Sequence, residues 1–140
     1  MAARGLTKRT RLERTSLPAR RPEVAVAAEQ SVIVVFYKFG EKFWTDESRP
    51  LDPLFDLEDQ LLAALEGKNV GELDGHEIAV DGSDGFLFLY GPDADALYAV
   101  IEPVLRASQV TQGGNATLRY GSHGEHNVLE KYIEIKPHVH

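Results

Sequence analysis

The runs VIVVF at residues 32–36 and FLFLY at residues 86–90 decide the fold, because each is apolar at every position. A strand with one wet face alternates apolar and polar residues, as residues 129–136 do. Two unbroken apolar strands therefore indicate a central pair that is covered on both faces. Helices can cover one face, and a second subunit, the N-terminal segment or a ligand would cover the other.

Two segments have the apolar spacing of helices. Asp52 and Pro53 open the first, since Asp can cap free N–H groups and Pro is tolerated in the first turn, and Gly67 ends it. Asp93 is the expected N-cap of the second helix. Pro103 lies inside that helix and predicts a kink or an early end, because proline has no N–H group and crowds the preceding turn.

The resulting element order, β-α-β-β-α-β-β, predicts an α+β fold with two helices on one face of an antiparallel sheet. Right-handed β-α-β connections place the first and third strands side by side at the centre, as in a ferredoxin-like plait. These are the two strands that are apolar at every position. We expect the domain at residues 31–137, after a linker at residues 23–30.

Residues 1–22 form a basic segment in an acidic chain. They hold seven Arg or Lys residues and one Glu, a net charge of +6, so that the total of −7 leaves −13 for the remainder. With few large apolar groups, the segment is predicted to be a disordered tail. It is an arm for nucleic acid or another anionic surface, a plain extension over the acidic body, or the product of an upstream start codon. The acidic body itself would repel nucleic acid.

Composition limits the class of protein. The 140 residues suit one domain with its own core, and no run approaches the roughly 20 apolar residues of a membrane span. The chain has no cysteine, which excludes disulfides, thiolate nucleophiles and cysteine-ligated zinc. It also lacks the signatures of phosphate-binding loops, nucleophile elbows and zinc proteases. We expect a soluble cytoplasmic protein with no cofactor and no membrane partner.

Asp74, His76 and Glu77 form the densest polar group beside a strand. In extended backbone Asp74 and His76 share a face, an arrangement suited to general acid–base catalysis. Gly75 interrupts the strand between them, so the alternative is a turn aspartate beside an exposed histidine on an edge strand. The acidic residues of the first helix, Glu58 among them, are interpreted as a solvated face.

His123 and His126 are the strongest candidates for metal ligands, with His138 and His140 as a second pair. Neither spacing is a zinc signature, and no rigid element holds a second ligand pair. We therefore predict loop histidines and a frayed C-terminus rather than a metal site.

The aromatic residues Phe39, Phe43 and Trp44 follow the first apolar strand. They would line a pocket or an interface, or form a satellite core under a loop. The candidate interface comprises these three residues with Val34, Phe36 and Phe88. Which side of the first strand faces outward stays open, because a shift of one residue exchanges the two sides.

The run GELDGHEI at residues 71–78, followed by YGPDADAL at residues 90–97, resembles small bacterial proteins of unknown function. The resemblance covers the body and not the tail, and it implies no catalytic residue. By architecture alone, the predicted plait also resembles regulatory and dimeric ligand-binding domains.

We predict a non-catalytic binding or regulatory module that forms a homodimer through its open sheet face. A protein or small-molecule ligand is a further possible partner. The alternatives are a small enzyme that uses His76 and Asp74, and a nucleic-acid accessory protein that acts through residues 1–22.

Overall fold

The structure is a computed structural model that describes residues 9–12, 29–45, 47–121 and 128–137. Its strands are β1 (Arg9–Leu12), β2 (Gln30–Tyr37), β3 (Glu72–Ala79), β4 (Asp84–Gly91), β5 (Asn115–Arg119) and β6 (Glu130–Glu134). Its helices are α1 (Phe39–Phe43), α2 (Asp52–Leu65) and α3 (Ala94–Ala107).

All these strands join one antiparallel sheet in the order β1-β3-β4-β2-β5-β6. The two apolar runs are neighbours at its centre, where Val34 of β2 lies opposite Leu87 of β4. The predicted pairing of these two runs is confirmed, and the fold is α+β with an antiparallel sheet. The strands from β2 to β6 correspond to the five expected strands, and β1 is an additional one.

Helices α2 and α3 pack against each other and against the same face of the sheet. Their buried stripes meet the inward row of the central strands, and burying each large apolar side chain stabilises the fold by roughly 1.5–3 kcal/mol. This core includes Leu54, Leu57, Leu61, Leu97, Ile101 and Leu105 from the helices and Val32, Val34, Phe36, Leu87 and Leu89 from the strands.

The two long helices begin differently. The carboxylate of Asp93 accepts hydrogen bonds from the amides of Asp95 (3.0 Å) and Ala96 (3.2 Å), which confirms the predicted N-cap of α3. Helix α2 has Leu51 at its N-cap position and no capping side chain, and Asp52 is its first helical residue. The predicted cap at Asp52 is therefore wrong, although its carboxylate still lies in the first turn, where the helix dipole favours negative charge.

Helix α3 runs through Pro103 to Ala107, so the early end that Pro103 predicts does not occur. The missing hydrogen bond would join Pro103 to the carbonyl of Ala99, and both residues are exposed, so water can hydrate that carbonyl. The buried side chains of Ile101 and Leu105 lie on either side of the proline and hold the helix on the sheet.

Glycines allow the chain to pass closely where β3 begins and β4 ends. A Cβ atom at Gly71 would collide with the carbonyl of Tyr90, and one at Gly91 would collide with the carbonyl of Val70. Gly71 also has a φ of +148°, which side chains disfavour. The start of β3 and the end of β4 therefore meet at this crossing.

Four residues of the predicted tail belong to the sheet. Strand β1 pairs with β3, with Arg11 opposite Glu77 and Leu12 opposite His76. The prediction of a disordered tail therefore does not hold for these four residues, because backbone pairing orders them without a core of their own. Residues 1–8 and 13–28, which include the rest of the tail and most of the predicted linker, lie outside the described residues.

In the part of the chain that the structure describes, no helix has the length and apolar content to cross a membrane.

Candidate interaction surface

Strand β2 presents apolar side chains to both sides of the sheet, and the two sides differ in burial. Val32, Val34 and Phe36 point to the helices and are 0% exposed. Ile33 and Val35 point to the other side and are half-buried. We call the side away from the helices the open face. It is the odd-numbered row of β2 that lies there, which settles the open question of register.

Val34 and Phe36 are therefore corrected as candidate interface residues, because α2 and α3 already bury them. Phe88 is placed as the interface prediction requires. It lies on the open face opposite Ile33, while Phe86 lies opposite Val35. The rings of Phe86 and Phe88 stack with their centroids 6.0 Å apart.

The apolar strip of the open face consists of Ile33, Val35, Phe86 and Phe88, and aromatic and polar groups surround it. Tyr37 continues β2 with 41% of its surface exposed, and its hydroxyl accepts a hydrogen bond from Nδ2 of Asn115 at 3.2 Å. Tyr132, on β6, is 64% exposed. An apolar centre with a polar rim is the usual anatomy of a protein interface.

Charged pairs occupy the rim beside β5. The guanidinium of Arg119 donates to Glu130 at 2.7 Å, and the two side chains are 21% and 46% exposed. Such a pair contributes little to stability in water, about 0–1 kcal/mol. Its role is to fix the positions of two opposite charges at the border of the strip.

The aromatic segment after β2 belongs to the core and not to the open face. Phe39 is 0% exposed, and its ring centroid lies 5.9 Å from that of Phe36 and 4.9 Å from that of Phe43. The indole N–H of Trp44 donates to the carbonyl of Pro50 at 3.0 Å. Phe39 is therefore corrected as an interface candidate, because it is buried in the core. Phe43 and Trp44 are half-buried and pack against the core, and their place in an interface stays a prediction.

His76 is buried, contrary to both sequence interpretations of it. Its side chain is 0% exposed, and its Nδ1 lies 2.7 Å from Oε2 of Glu58, which is also 0% exposed. The pair joins β3 to α2, with the ring of Phe55 6.0 Å from the imidazole. Nε2 of His76 has no hydrogen-bond partner among the described residues. The arrangement has the geometry of an acid–base pair but gives a substrate no access.

The structure does not bring Asp74 and Glu77 to this histidine. A bulge between Leu73 and Gly75 breaks the alternation of β3, and Asp74 is exposed. Glu77 follows His76 directly in the strand and therefore points to the opposite side of the sheet. The acid–base group expected from Asp74, His76 and Glu77 is thus divided among different environments.

Glu58 is the residue that sequence reasoning missed, because it was assigned to a solvated face. A signal was present: Glu58 is four residues after Leu54 and three before Leu61, within the buried stripe of α2. The prediction of a solvated face gave more weight to the charge of Glu58 than to its position in the apolar stripe. Because a buried carboxylate requires a partner, His76 on the facing strand was a second indication that Glu58 is buried.

A cleft of about 490 Å³ lies between the second half of α2 and the start of β3. It contains neither member of the buried pair. Its lining is formed by Leu62, Ala63, Leu65, Glu66, Gly71, Glu72 and Leu73. The lining is a mixture of apolar groups and the carboxylates of Glu66 and Glu72.

Metal and anion sites find no support in the described residues. These contain no group of three or more His, Cys, Asp or Glu that could hold a metal ion. His123, His126, His138 and His140 lie outside the described residues. The N-terminus of α3 is closed to anions, because Asp93 and the side-chain oxygen of Gln30 already accept its amide hydrogens.

Among the described residues, three side chains away from the open-face strip have a shifted pKa. Burial, with a smaller contribution from Lys38, lowers the pKa of Lys42, whose ammonium group donates to the carbonyls of Gln109 (3.0 Å), Val110 (3.3 Å) and Gln112 (3.1 Å). These bonds tie α1 to the loop after α3.

Two tyrosines have raised pKa values. Burial, followed by the charge of Glu102, raises the pKa of Tyr98. The hydrogen bond that Tyr120 donates to Asp95 at 2.7 Å raises the pKa of Tyr120 to about 12. Both phenols therefore stay neutral at physiological pH.

Comparison with known proteins finds no matching family model, no matching curated protein and no matching solved structure. The resemblance of residues 71–78 and 90–97 to bacterial proteins stays a prediction.

Proposed function

We propose that this chain is a non-catalytic binding or regulatory module that self-associates through its open face. The observation that supports this most is the strip formed by Ile33 and Val35 beside Phe86 and Phe88. An antiparallel sheet that is wet on one side carries polar residues there. Large apolar side chains on this side of the sheet instead suit a surface that is covered, and a second copy of the chain is the cover that we propose.

The size of the face predicts a dimer of moderate affinity. Strands spaced about 4.8 Å apart, with residues about 3.4 Å apart along each, give five strands of five residues a projected area of roughly 400 Å². A stable complex buries about 800 Å² per partner. Side-chain relief and the exposed ring of Tyr132 add area, so we expect a dimer that dissociates on dilution.

A narrower fold assignment belongs to the same proposal. The order β3-β4-β2-β5 with both long helices on one face supports a ferredoxin-like plait that β1 and β6 extend at its edges. We also propose that residues 31–137 form the functional unit and that it works in the cytoplasm. The lack of cysteine in the chain is compatible with that reducing compartment.

The alternatives have less support. An enzyme needs its proton-transfer group within reach of a substrate, and His76 is 0% exposed. A small-molecule ligand on the open face stays an alternative to the second copy. Nucleic-acid binding by residues 1–22 stays a hypothesis, since only Arg9–Leu12 of that segment is described.

Light scattering on three valine variants tests the proposal. Val35→Glu places a charge in the open-face strip, whereas Val80→Glu places it at a site that is 45% exposed beyond the end of β3. We expect Val35→Glu to keep the native circular dichroism spectrum and to halve the mass, and Val80→Glu to leave the mass unchanged. Val34→Glu should unfold the domain, because Val34 faces the core.

A Val35→Glu variant that keeps the wild-type mass contradicts the proposal. So does a wild-type chain that stays at its monomer mass of 15.5 kDa at high concentration. The second result would favour the small-molecule alternative.

A further inference from the structure

Strand β6 ends the sheet, and in the described part of the chain β5 is its only strand partner. The carbonyl of Leu129 accepts a hydrogen bond from the amide of Tyr120, and the amide of Ile135 donates to Gly114, both at 3.0 Å. In antiparallel strands, the N–H and C=O of one residue point to the same side, and this side alternates along the strand. The odd-numbered residues of β6 therefore bond to β5.

The even-numbered residues Glu130, Tyr132 and Glu134 consequently direct their backbone groups to the edge of the sheet. Exposed apolar surface is concentrated at this edge. Among the described residues, Leu129 at 77% and Tyr132 at 64% are the two most exposed large apolar side chains. An exposed strand edge of this kind is a template for pairing with another strand.

We propose that β6 pairs with the β6 of a second copy of this chain, antiparallel about a two-fold axis at Ile133. The two sheets then become one continuous sheet. The inference does not rest on the proposed function, because it uses the edge of the sheet and not its open face.

Charge disfavours the two symmetric registers next to this one. Pairing centred on Tyr132 would set Glu130 opposite Glu134 on both sides of the axis, and pairing centred on Lys131 would set two lysines opposite each other. Like charges directly opposite each other destabilise a strand pair.

The register centred on Ile133 replaces these repulsions with attractions. Glu130 then lies opposite Lys136 twice, Tyr132 lies opposite Glu134, and two Ile133 side chains meet at the axis. Among the described residues, Glu130 accepts from Arg119 at 2.7 Å and Lys136 Nζ lies 3.8 Å from Glu134. These exposed pairs are weak, so their charges can exchange partners when two copies meet. The alternating charges that discourage other partners therefore fit a second copy in this register.

The two contacts are geometrically compatible. The two-fold axis of edge pairing is perpendicular to the sheet, whereas face-to-face packing has its axis in the plane of the sheet. Two perpendicular two-fold axes that meet generate a closed tetramer with D2 symmetry. A chain that uses both contacts is therefore a tetramer, and loss of either contact leaves a dimer.

Single cysteine variants test the register, because the chain has no native cysteine. In the proposed register the two Ile133 Cα atoms are about 4.5 Å apart, as in a non-hydrogen-bonded pair, and a disulfide can join them. The two Tyr132 residues are offset by two positions along the strands and separated by one strand spacing, so their Cα atoms are about 8 Å apart. This distance is too long for a disulfide. Ile133→Cys should therefore form a covalent dimer on oxidation, whereas Tyr132→Cys and Lys131→Cys should not.

A proline variant, its glutamine control and the Val35→Glu background give the matched controls. Glu134→Pro removes an N–H group that points to the edge and leaves every hydrogen bond to β5 intact. In the Ile133→Cys chain, this change should abolish the covalent dimer. Glu134→Gln in the same chain should preserve it. The cross-link should also form in the Val35→Glu background. Its loss there would mean that the edge contact depends on the open face, and would overturn the inference.

Hydrogen exchange tests the contact in the unmodified chain. The amides of Tyr132 and Glu134 should exchange slowly at high concentration and quickly on dilution. Fast exchange at every concentration overturns the inference, as does cross-linking at Lys131→Cys or Tyr132→Cys in place of Ile133→Cys. If Ile133→Cys loses the native circular dichroism spectrum, the exchange result alone decides. None of these results bears on the open face, which the mass of Val35→Glu decides.

Discussion

The two sides of the central strands have nearly the same apolar composition and different surroundings. On the helix side, Val32, Val34 and Leu87 are 0% exposed. On the open face, Ile33 and Val35 are only half-buried. The difference shows that an apolar pattern identifies the surfaces of a strand that must be covered. The helices of this chain cover one side of the central strands. We propose that a second copy covers the other.

The largest expected effect comes from a charge on the helix side. Val34→Glu buries a carboxylate without a partner, and we expect a loss of at least about 4 kcal/mol in the free energy of unfolding. Urea denaturation followed by circular dichroism measures it. The same substitution at Val35, one residue along β2, should cost far less. Equal losses at the two positions would remove the distinction between the faces.

Phe39→Ala tests whether the aromatic segment belongs to the core. Because Phe39 is 0% exposed and contacts Phe36, the cavity should lower the free energy of unfolding by about 3–5 kcal/mol. The mass of the folded fraction in light scattering should not change. A stable variant with altered mass would return this residue to the interface.

The buried pair of Glu58 and His76 is the polar exception on the helix side. His76→Ala leaves the buried carboxylate without its imidazole partner, and we expect a loss of about 3 kcal/mol in the free energy of unfolding. The double variant Glu58→Leu with His76→Phe should recover most of it, because an apolar pair of similar volume needs no compensation. Additive losses in the double-mutant cycle would show that the two side chains do not act together.

The smallest expected effect lies away from both faces, at Tyr120. Its pKa is raised from 10.0 to about 12 in the folded chain. A raised pKa means that the hydrogen bond to Asp95 stabilises the fold below pH 10 and is lost as the pH rises towards 12. The difference in urea midpoint between wild type and Tyr120→Phe should therefore shrink over this range. A constant difference would show that the bond contributes nothing.

The sequence predicted the features that local chemistry determines. The runs at residues 32–36 and 86–90 predicted the central pairing, and Asp93 predicted the start of α3, because burial and capping each leave a pattern in a single segment. The early helix end predicted from Pro103 does not occur. The energetic cost of a proline inside a helix depends on whether water can hydrate the unpaired carbonyl, which here is that of Ala99. Leu51 is the N-cap residue of α2, and no capping pattern in the sequence indicates this.

The parts that could not be predicted depend on contacts between distant segments. Glu58 looks like a surface carboxylate until β3 brings His76 against it. Arg9–Leu12 has no apolar pattern and becomes a strand through the backbone groups of β3. The division of β2 into an inner and an outer row was predicted, but which row faces outward depended on where the helices dock.

Isotope-filtered NMR on a mixture of labelled and unlabelled chains tests whether a second copy covers the open face. The experiment detects only contacts between different copies. The account predicts intermolecular cross-peaks at the methyl groups of Ile33 and Val35 and none at those of Val32 and Val34. A concentrated sample with no intermolecular cross-peak at Ile33 or Val35 would contradict the assignment of the open face to a second copy.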